Sequence, residues 1–104
     1  MINVVVLIQL KEGSRETFLH EFQKVVPLVR DEQGCVEYGP TIDVDTGIEM
    51  FGAVDPNRVT ILERWETVDA LQAHLVAPHM VEYRPKVKEL IEQVEAVVTE
   101  PVSA

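Results

Sequence analysis

An α+β fold is predicted, with helices layered on one face of a four-stranded antiparallel sheet, and three observations predict it. Four segments have strand-type patterning, either alternating apolar with polar or running as β-branched apolar residues. Two longer segments repeat apolar residues at helical spacing. Their order is β-α-β-β-α-β with the second helix broken in two, which is the split βαβ, or ferredoxin-like, arrangement. A chain of 104 residues forms one domain, 1–104, with 101–104 as a C-terminal tail.

Val4 to Leu10 is apolar at nearly every position, as in a strand covered on both faces. Lys11-Glu12-Gly13 is a turn. Ser14 takes the N-cap position, and Glu16 in the first turn favours the helix dipole. Phe18, Phe22, Val25, Val26 and Val29 then share one face, so Ser14 to Asp31 reads as an amphipathic helix. Pro27 removes one backbone hydrogen bond from its last turn, and Gly34 closes it. Cys35 to Val44 is the second strand, with Val36, Tyr38 and Ile42 alternating against Glu37 and Asp43. Gly39-Pro40 marks a bend or an edge in it. Between the turn signals Asp45-Thr46-Gly47 and Asp55-Pro56-Asn57, Ile48 to Val54 reads as a short extra hairpin strand or a flap. Arg58 to Glu66 is the third strand. Thr67 caps a helix carrying Ala70, Leu71, His74 and Leu75. Pro78 opens a second short helix, His79 to Val87, whose end Pro85 disturbs. Ile91 to Thr99 alternates apolar and polar and is the last strand.

A net charge of −9 argues against nucleic acid, because phosphate binding needs a basic stripe and the nine Lys and Arg are scattered. The densest group, Arg84, Lys86 and Lys88, is spaced by two and reads as solvated surface. No stretch is long and apolar enough to span a bilayer, and Met1-Ile2-Asn3 lacks the basic flank of a secretory signal. The single cysteine, Cys35, cannot form an internal disulfide. The expected location is therefore the cytoplasm. The first and third strands read as apolar on both sides, and one layer of helices covers only one sheet face. A homodimer packed through the bare sheet faces follows as an expectation.

The stretch with most chemistry runs from Arg58 to Met80. It holds the only Trp and two of the three His. Period-two alternation puts Glu63 and Trp65 on one strand face, and the following helices can bring His74 and His79 over it. A carboxylate, a flat aromatic and two titratable rings suit a small-molecule site, and equally suit ordinary core and surface.

Gly34-Cys35 followed by Tyr38, then Glu63-Arg64-Trp65-Glu66, then His74-Leu75 and Pro78-His79-Met80 resemble the antibiotic biosynthesis monooxygenase family, and its small bacterial quinol monooxygenases above all. The resemblance runs from the first strand to Val98 and rests on the order and spacing of motifs that are individually weak. It implies a dimeric α+β barrel, a pocket between the sheet and helices of each subunit, and oxygen chemistry with neither metal nor flavin. Polyketide-oxidising members place an asparagine where this chain has Ile61. Haem-degrading members place one near Val6 and a histidine where this chain has Leu75. Both of those chemistries are therefore disfavoured. The family also contains an isomerase of a phosphorylated signalling sugar.

The implied substrate is an electron-rich aromatic such as a quinol, or an enolisable small molecule, together with O2. Triplet oxygen accepts electrons one at a time from an electron-rich anion, so the protein must bind the ring, remove a proton and exclude water. His79 and His74 are the candidate proton acceptors, and Glu63 is the third catalytic candidate. Each also has a bland reading, as cap, core histidine and salt-bridged carboxylate respectively. Trp65 is a candidate stacking platform or core, and Tyr38 a pocket-rim phenol or sheet packing. His20 and Cys35 read as surface and packing. No Cys, His, Asp or Glu grouping has convincing metal-ligand spacing, so no metal is expected, and the resemblance implies no cofactor. The alternatives are an isomerase of a small phosphorylated sugar or ketone, anchored by Arg58, Arg64 or Arg84, and a non-catalytic dimeric small-molecule-binding module.

Overall fold

The computed structural model describes residues 1–103; of the C-terminal tail, residue 104 lies outside the described residues. Strand β1 (Ile2–Leu10) leads into helix α1 (Arg15–Arg30), then β2 (Cys35–Thr41) and β3 (Arg58–Trp65). Helices α2 (Val68–Leu75) and α3 (Pro78–Val87) and a 3-10 turn at Lys88–Leu90 precede β4 (Ile91–Thr99). The sheet order is β2-β3-β1-β4 with every neighbouring pair antiparallel, so the ferredoxin-like topology is present as the sequence predicts.

The helical period of α1 buries Phe18, Phe22, Val25, Val26 and Val29 against the sheet. These pack on the inward residues of the central strands, which include Ile2, Val4, Ile8 and Leu10 from β1 and Val59, Ile61 and Trp65 from β3. Phe18 stacks on Phe22, and Phe22 stacks on Tyr38 from β2, with centroids 5.8 and 5.6 Å apart. Ser14 occupies the N-cap position, but its hydroxyl makes no capping bond. Its carbonyl alone accepts, from the Phe18 N–H at 2.9 Å. Thr67 does cap α2, taking the Ala70 N–H on Oγ1 at 3.1 Å.

Three expectations change. The second strand stops at Thr41 rather than Val44, and an irregularity between Cys35 and Glu37 turns Val36 outward while Tyr38 stays buried. Residues 42–57 form no extra strand. They hold one 3-10 turn, Glu49–Phe51, and local side-chain bonds from Asp43, Asp45, Thr46 and Asp55 to backbone N–H groups replace ladder pairing. The loop is anchored beside Leu10 and Gly13 through Asn57, which places it at the sheet end remote from Trp65. The third strand is not apolar on both sides: its outer face carries Arg58, Thr60, Leu62 and Arg64, of which only Leu62 is apolar.

The outer face therefore has a compact apolar centre and a polar surround. Leu62, Val5 and Val97 form one row across three strands, flanked by Leu7. Strand β4 is exposed along almost its whole length, because the helices reach only as far as β1; Val94, Val97 and Val98 are each about half exposed. No helix among the described residues is long and apolar enough to cross a membrane.

Candidate active site

One end of the sheet gathers the titratable groups. The alternation of β3 puts Val59, Ile61, Glu63 and Trp65 under the helices, so a carboxylate enters the core with three apolar companions. Its compensation comes from its own strand. The Trp65 indole N–H donates to Glu63 Oε1 at 2.8 Å, a same-face bond between residues two apart. Burial pushes the Glu63 carboxyl up, the indole bond and nearby His74 pull against that, and the Glu32 charge adds to it.

Two chain reversals meet over this end. The first follows α1, where the Glu32 N–H bonds the Val29 carbonyl at 2.9 Å and the Glu32 carbonyl accepts from Cys35 at 3.1 Å. Gly34 then adopts φ +85°, where L side chains are strained, and an added Cβ there would lie 2.6 Å from the Ala70 Cβ. That close approach, with the Glu66 N–H on the Gly34 carbonyl at 2.8 Å, seats the reversal against α2. The second reversal joins α2 to α3 at Val76-Ala77. Ala77 donates to the His74 carbonyl at 3.1 Å and its own carbonyl receives Met80 and Val81. Pro78 at the first position of α3 gives up no needed N–H.

The outcome is a three-residue constellation that the sequence patterning did not reveal. His74 Nδ1 lies 2.9 Å and His79 Nε2 2.7 Å from the same oxygen, Glu32 Oε2. His74 is 2% exposed and sits between Trp65, at 4.7 Å between centroids, and the edge of Tyr38, at 5.4 Å. His79 is partly open to solvent, its side chain 21% exposed.

The structure brings His74, His79, Glu63, Trp65 and Tyr38 together, but in an order different from the expected one. The histidines bond to Glu32 rather than to Glu63. Trp65 is fully buried, its N–H committed to Glu63, so it offers no open face for stacking and acts from within the core. Tyr38 lies in the aromatic core rather than at a rim. Burial raises the Tyr38 and Tyr83 phenols, and burial with the charges of Glu32 and Glu63 raises the Cys35 thiol; none of the three is a ready base near neutral pH. His20 is exposed on α1. Glu32 was hidden because Asp31-Glu32-Gln33-Gly34 looks like any polar helix-ending turn. The one available signal is topological: in this fold the first helix ends at the same sheet end as the third strand.

The expected arginine anchors separate. Arg58 is bound to Asp43 at the far end, and Arg64 pairs with Glu37 on the outer face at 3.1 Å. Arg84 donates to the Leu75 carbonyl beside a cleft. Two depressions flank α3. The groove against α1, about 150 Å³, is walled by Val25, Leu28, Tyr83 and His79, with the Lys24–Glu21 and Lys86–Glu82 pairs at its sides. The groove against β4, about 740 Å³, is walled by Ile8, Tyr83, Val87, Ile91 and Val94, with Arg84 and Lys88 beside them. Among the described residues, no group of three or more His, Cys, Asp or Glu side chains is placed to hold a metal ion.

The chain has clear relatives. The family model described as antibiotic biosynthesis monooxygenase matches residues 1–86. The Escherichia coli K12 protein named "Probable quinol monooxygenase YgiN" is 37% identical over 90 residues, spanning 85% of this chain and 86% of that protein. Among solved structures, PA3566 from Pseudomonas aeruginosa superposes with a TM-score of 0.82 at 20% identity, over 98% of this chain and 94% of that one. Rv0793 from Mycobacterium tuberculosis gives 0.80 at 22% identity, over 99% and 96%. At those identities the structural likeness speaks for the fold alone.

Proposed function

The chain belongs to the antibiotic biosynthesis monooxygenase family, and on that premise we propose that it oxidises an electron-rich aromatic, such as a quinol, with O2 and without metal or flavin. The observation that carries the reading is the His79–Glu32 contact, a partly open imidazole backed by a carboxylate. The hydroxyl of the substrate enters at the α1–α3 groove, whose wall includes His79. A space near 150 Å³ accepts a benzene-sized ring, so a larger quinol seats only its hydroxyl-bearing ring there. His79 takes the hydroxyl proton, and Glu32 stabilises the imidazolium that forms. The resulting monoanion passes one electron to O2, giving a semiquinone and superoxide. The semiquinone then gives its second electron and proton to superoxide, and the proton held on His79 completes hydrogen peroxide, so that quinone and hydrogen peroxide leave and His79 is neutral again. Glu63 and Trp65 form the rigid floor beneath His74.

The α3–β4 groove is the second space to account for. Its sheet-side wall, Ile8 and Val94, belongs to the helix-covered face, opposite the face expected to pack in a homodimer. The groove suits the isomerase alternative, since Arg84 and Lys88 could anchor a phosphate there. The test is turnover. Purified, colourless protein is given reduced naphthoquinone, and quinone formation and O2 uptake are followed against the uncatalysed rate. Acceleration that survives dialysis against chelator is expected. No acceleration with any quinol, together with phosphate binding that protects the protein, would favour the isomerase.

A further inference from the structure

We propose that Glu32 is the positioning residue of the site, locking His74 and His79 in opposite tautomers. The inference rests on the reading of His79 as proton acceptor. A carboxylate has no proton to give, so both imidazole nitrogens facing Glu32 Oε2 must carry one. In the neutral rings His74 is then protonated on Nδ1 and bare on Nε2, while His79 is protonated on Nε2 and bare on Nδ1. The basic atom of His79 is its Nδ1, the nitrogen turned away from Glu32. When that atom takes the substrate proton, the imidazolium keeps its bond to the carboxylate.

The surroundings make Glu32 suited to this role. Its backbone is held on both sides, by Val29 and by Cys35, and its carboxylate is mostly enclosed, 14% exposed. The two imidazoles come from different helices, α2 and α3, so one oxygen also fixes the angle between them. His74 is enclosed by Trp65 and Tyr38 and cannot turn freely. Its bond to Glu32 leaves the carboxylate oriented for His79. His74 thus serves the site through Glu32, and His79 is the ring with access to the α1–α3 groove.

The experiment reads the tautomers directly and needs no substrate. Protein labelled with ¹⁵N-histidine is measured by long-range ¹H–¹⁵N correlation at a pH where the rings are neutral. Signals are assigned with His20→Gln, His74→Gln and His79→Gln. The expected spectrum has His74 as the Nδ1–H form and His79 as the Nε2–H form. Glu32→Ala should blur both into mixtures and lower kcat at least about 10-fold with KM little changed. Glu32→Gln, whose amide oxygen can still accept, should keep the tautomers while kcat stays low, because the charge facing the imidazolium is gone. Finding His74 as Nε2–H, His79 as Nδ1–H, or unchanged spectra in Glu32→Ala overturns the proposal. So does wild-type kcat in Glu32→Ala when the wild type turns over a quinol. Tautomers as stated, in a protein that oxidises no quinol, leave the locking role of Glu32 standing and remove the proposed oxidation.

Discussion

At the Leu10 end of the sheet, Asp43 accepts from Arg58 Nε at 3.1 Å and from the Asp55 N–H at 2.9 Å, tying down the base of the long loop. At the Trp65 end, Glu32 accepts from two imidazoles. Both carboxylates bridge separate segments, but their partners differ in kind. The guanidinium beside Asp43 is always charged, and its hydrogen bonds hold the Asp43 carboxyl below the usual carboxylate range. That is a fixed clamp. The partners of Glu32 are the one side-chain type that changes charge near neutral pH, and they sit above a buried carboxyl, Glu63, that is pushed the other way. One device, a hydrogen-bonded carboxylate, is a hinge-pin in one place and, in the proposed function, a support for proton transfer in the other.

The largest effect should separate the two ends by activity. His79→Ala should lower quinol turnover by roughly 10²–10⁴-fold, the usual scale for a general base. Asp43→Asn should leave turnover within about threefold, since the half-buried Asp43–Arg58 pair lies at the far end of the sheet from the site. Steady-state rates on the same substrate check both, and a large loss in Asp43→Asn would break the comparison.

Next come the residues that build the site end. Gly34→Ala combines a positive φ with a clash against Ala70 and should cost about 1–3 kcal/mol in denaturant unfolding. Trp65→Phe keeps a ring but strips Glu63 of its N–H donor, for a similar cost of about 1–3 kcal/mol. Because Trp65 is buried, this variant should lose stability more than substrate affinity, a result that thermal melts and KM together would decide.

The smallest effects are opposite in sign. A raised Glu63 carboxyl contributes stability that is complete below the ordinary carboxylate value and is lost as pH rises through its folded pKa. Glu63→Gln should therefore flatten the decline that sets in as pH rises above the ordinary carboxylate value, while keeping an acceptor for Trp65. A lowered Asp43 carboxyl contributes stability present above the ordinary value and lost as pH falls through the folded one, so Asp43→Asn should flatten the acid-side decline. Unfolding free energies of each variant against wild type across pH give both slopes, and like signs would contradict the contrast.

The sequence carried the topology because period-two and helical spacing report local burial, and both kinds were present in order. It carried the gathering of Glu63, Trp65, His74 and His79 because a strand followed at once by helices fixes their faces. Glu32 was not legible: its place beside His74 and His79, 42 and 47 residues further on, arises from two reversals meeting in space, and neither leaves a periodic trace. The loop from 42 to 57 misled for the complementary reason. Ile48, Met50, Phe51 and Val54 look like strand residues, but they remain exposed because no strand edge lies beside them. The outer sheet face misled in degree, since Arg58, Thr60 and Arg64 alternate with the apolar residues that suggested a bare hydrophobic sheet.

Proton acceptance at His79, the step proposed to start oxidation at the Trp65 end, is open to chemical rescue. Purified His79→Ala is assayed by O2 uptake on reduced naphthoquinone while free imidazole is added, with the uncatalysed rate at each imidazole concentration subtracted. A low rate that climbs with imidazole is expected in His79→Ala, with no such climb in wild type. Wild-type turnover in His79→Ala without imidazole would contradict it; if His74→Ala then abolishes activity, the proton acceptor is His74, and if neither variant matters, deprotonation belongs to Glu63 or to solvent.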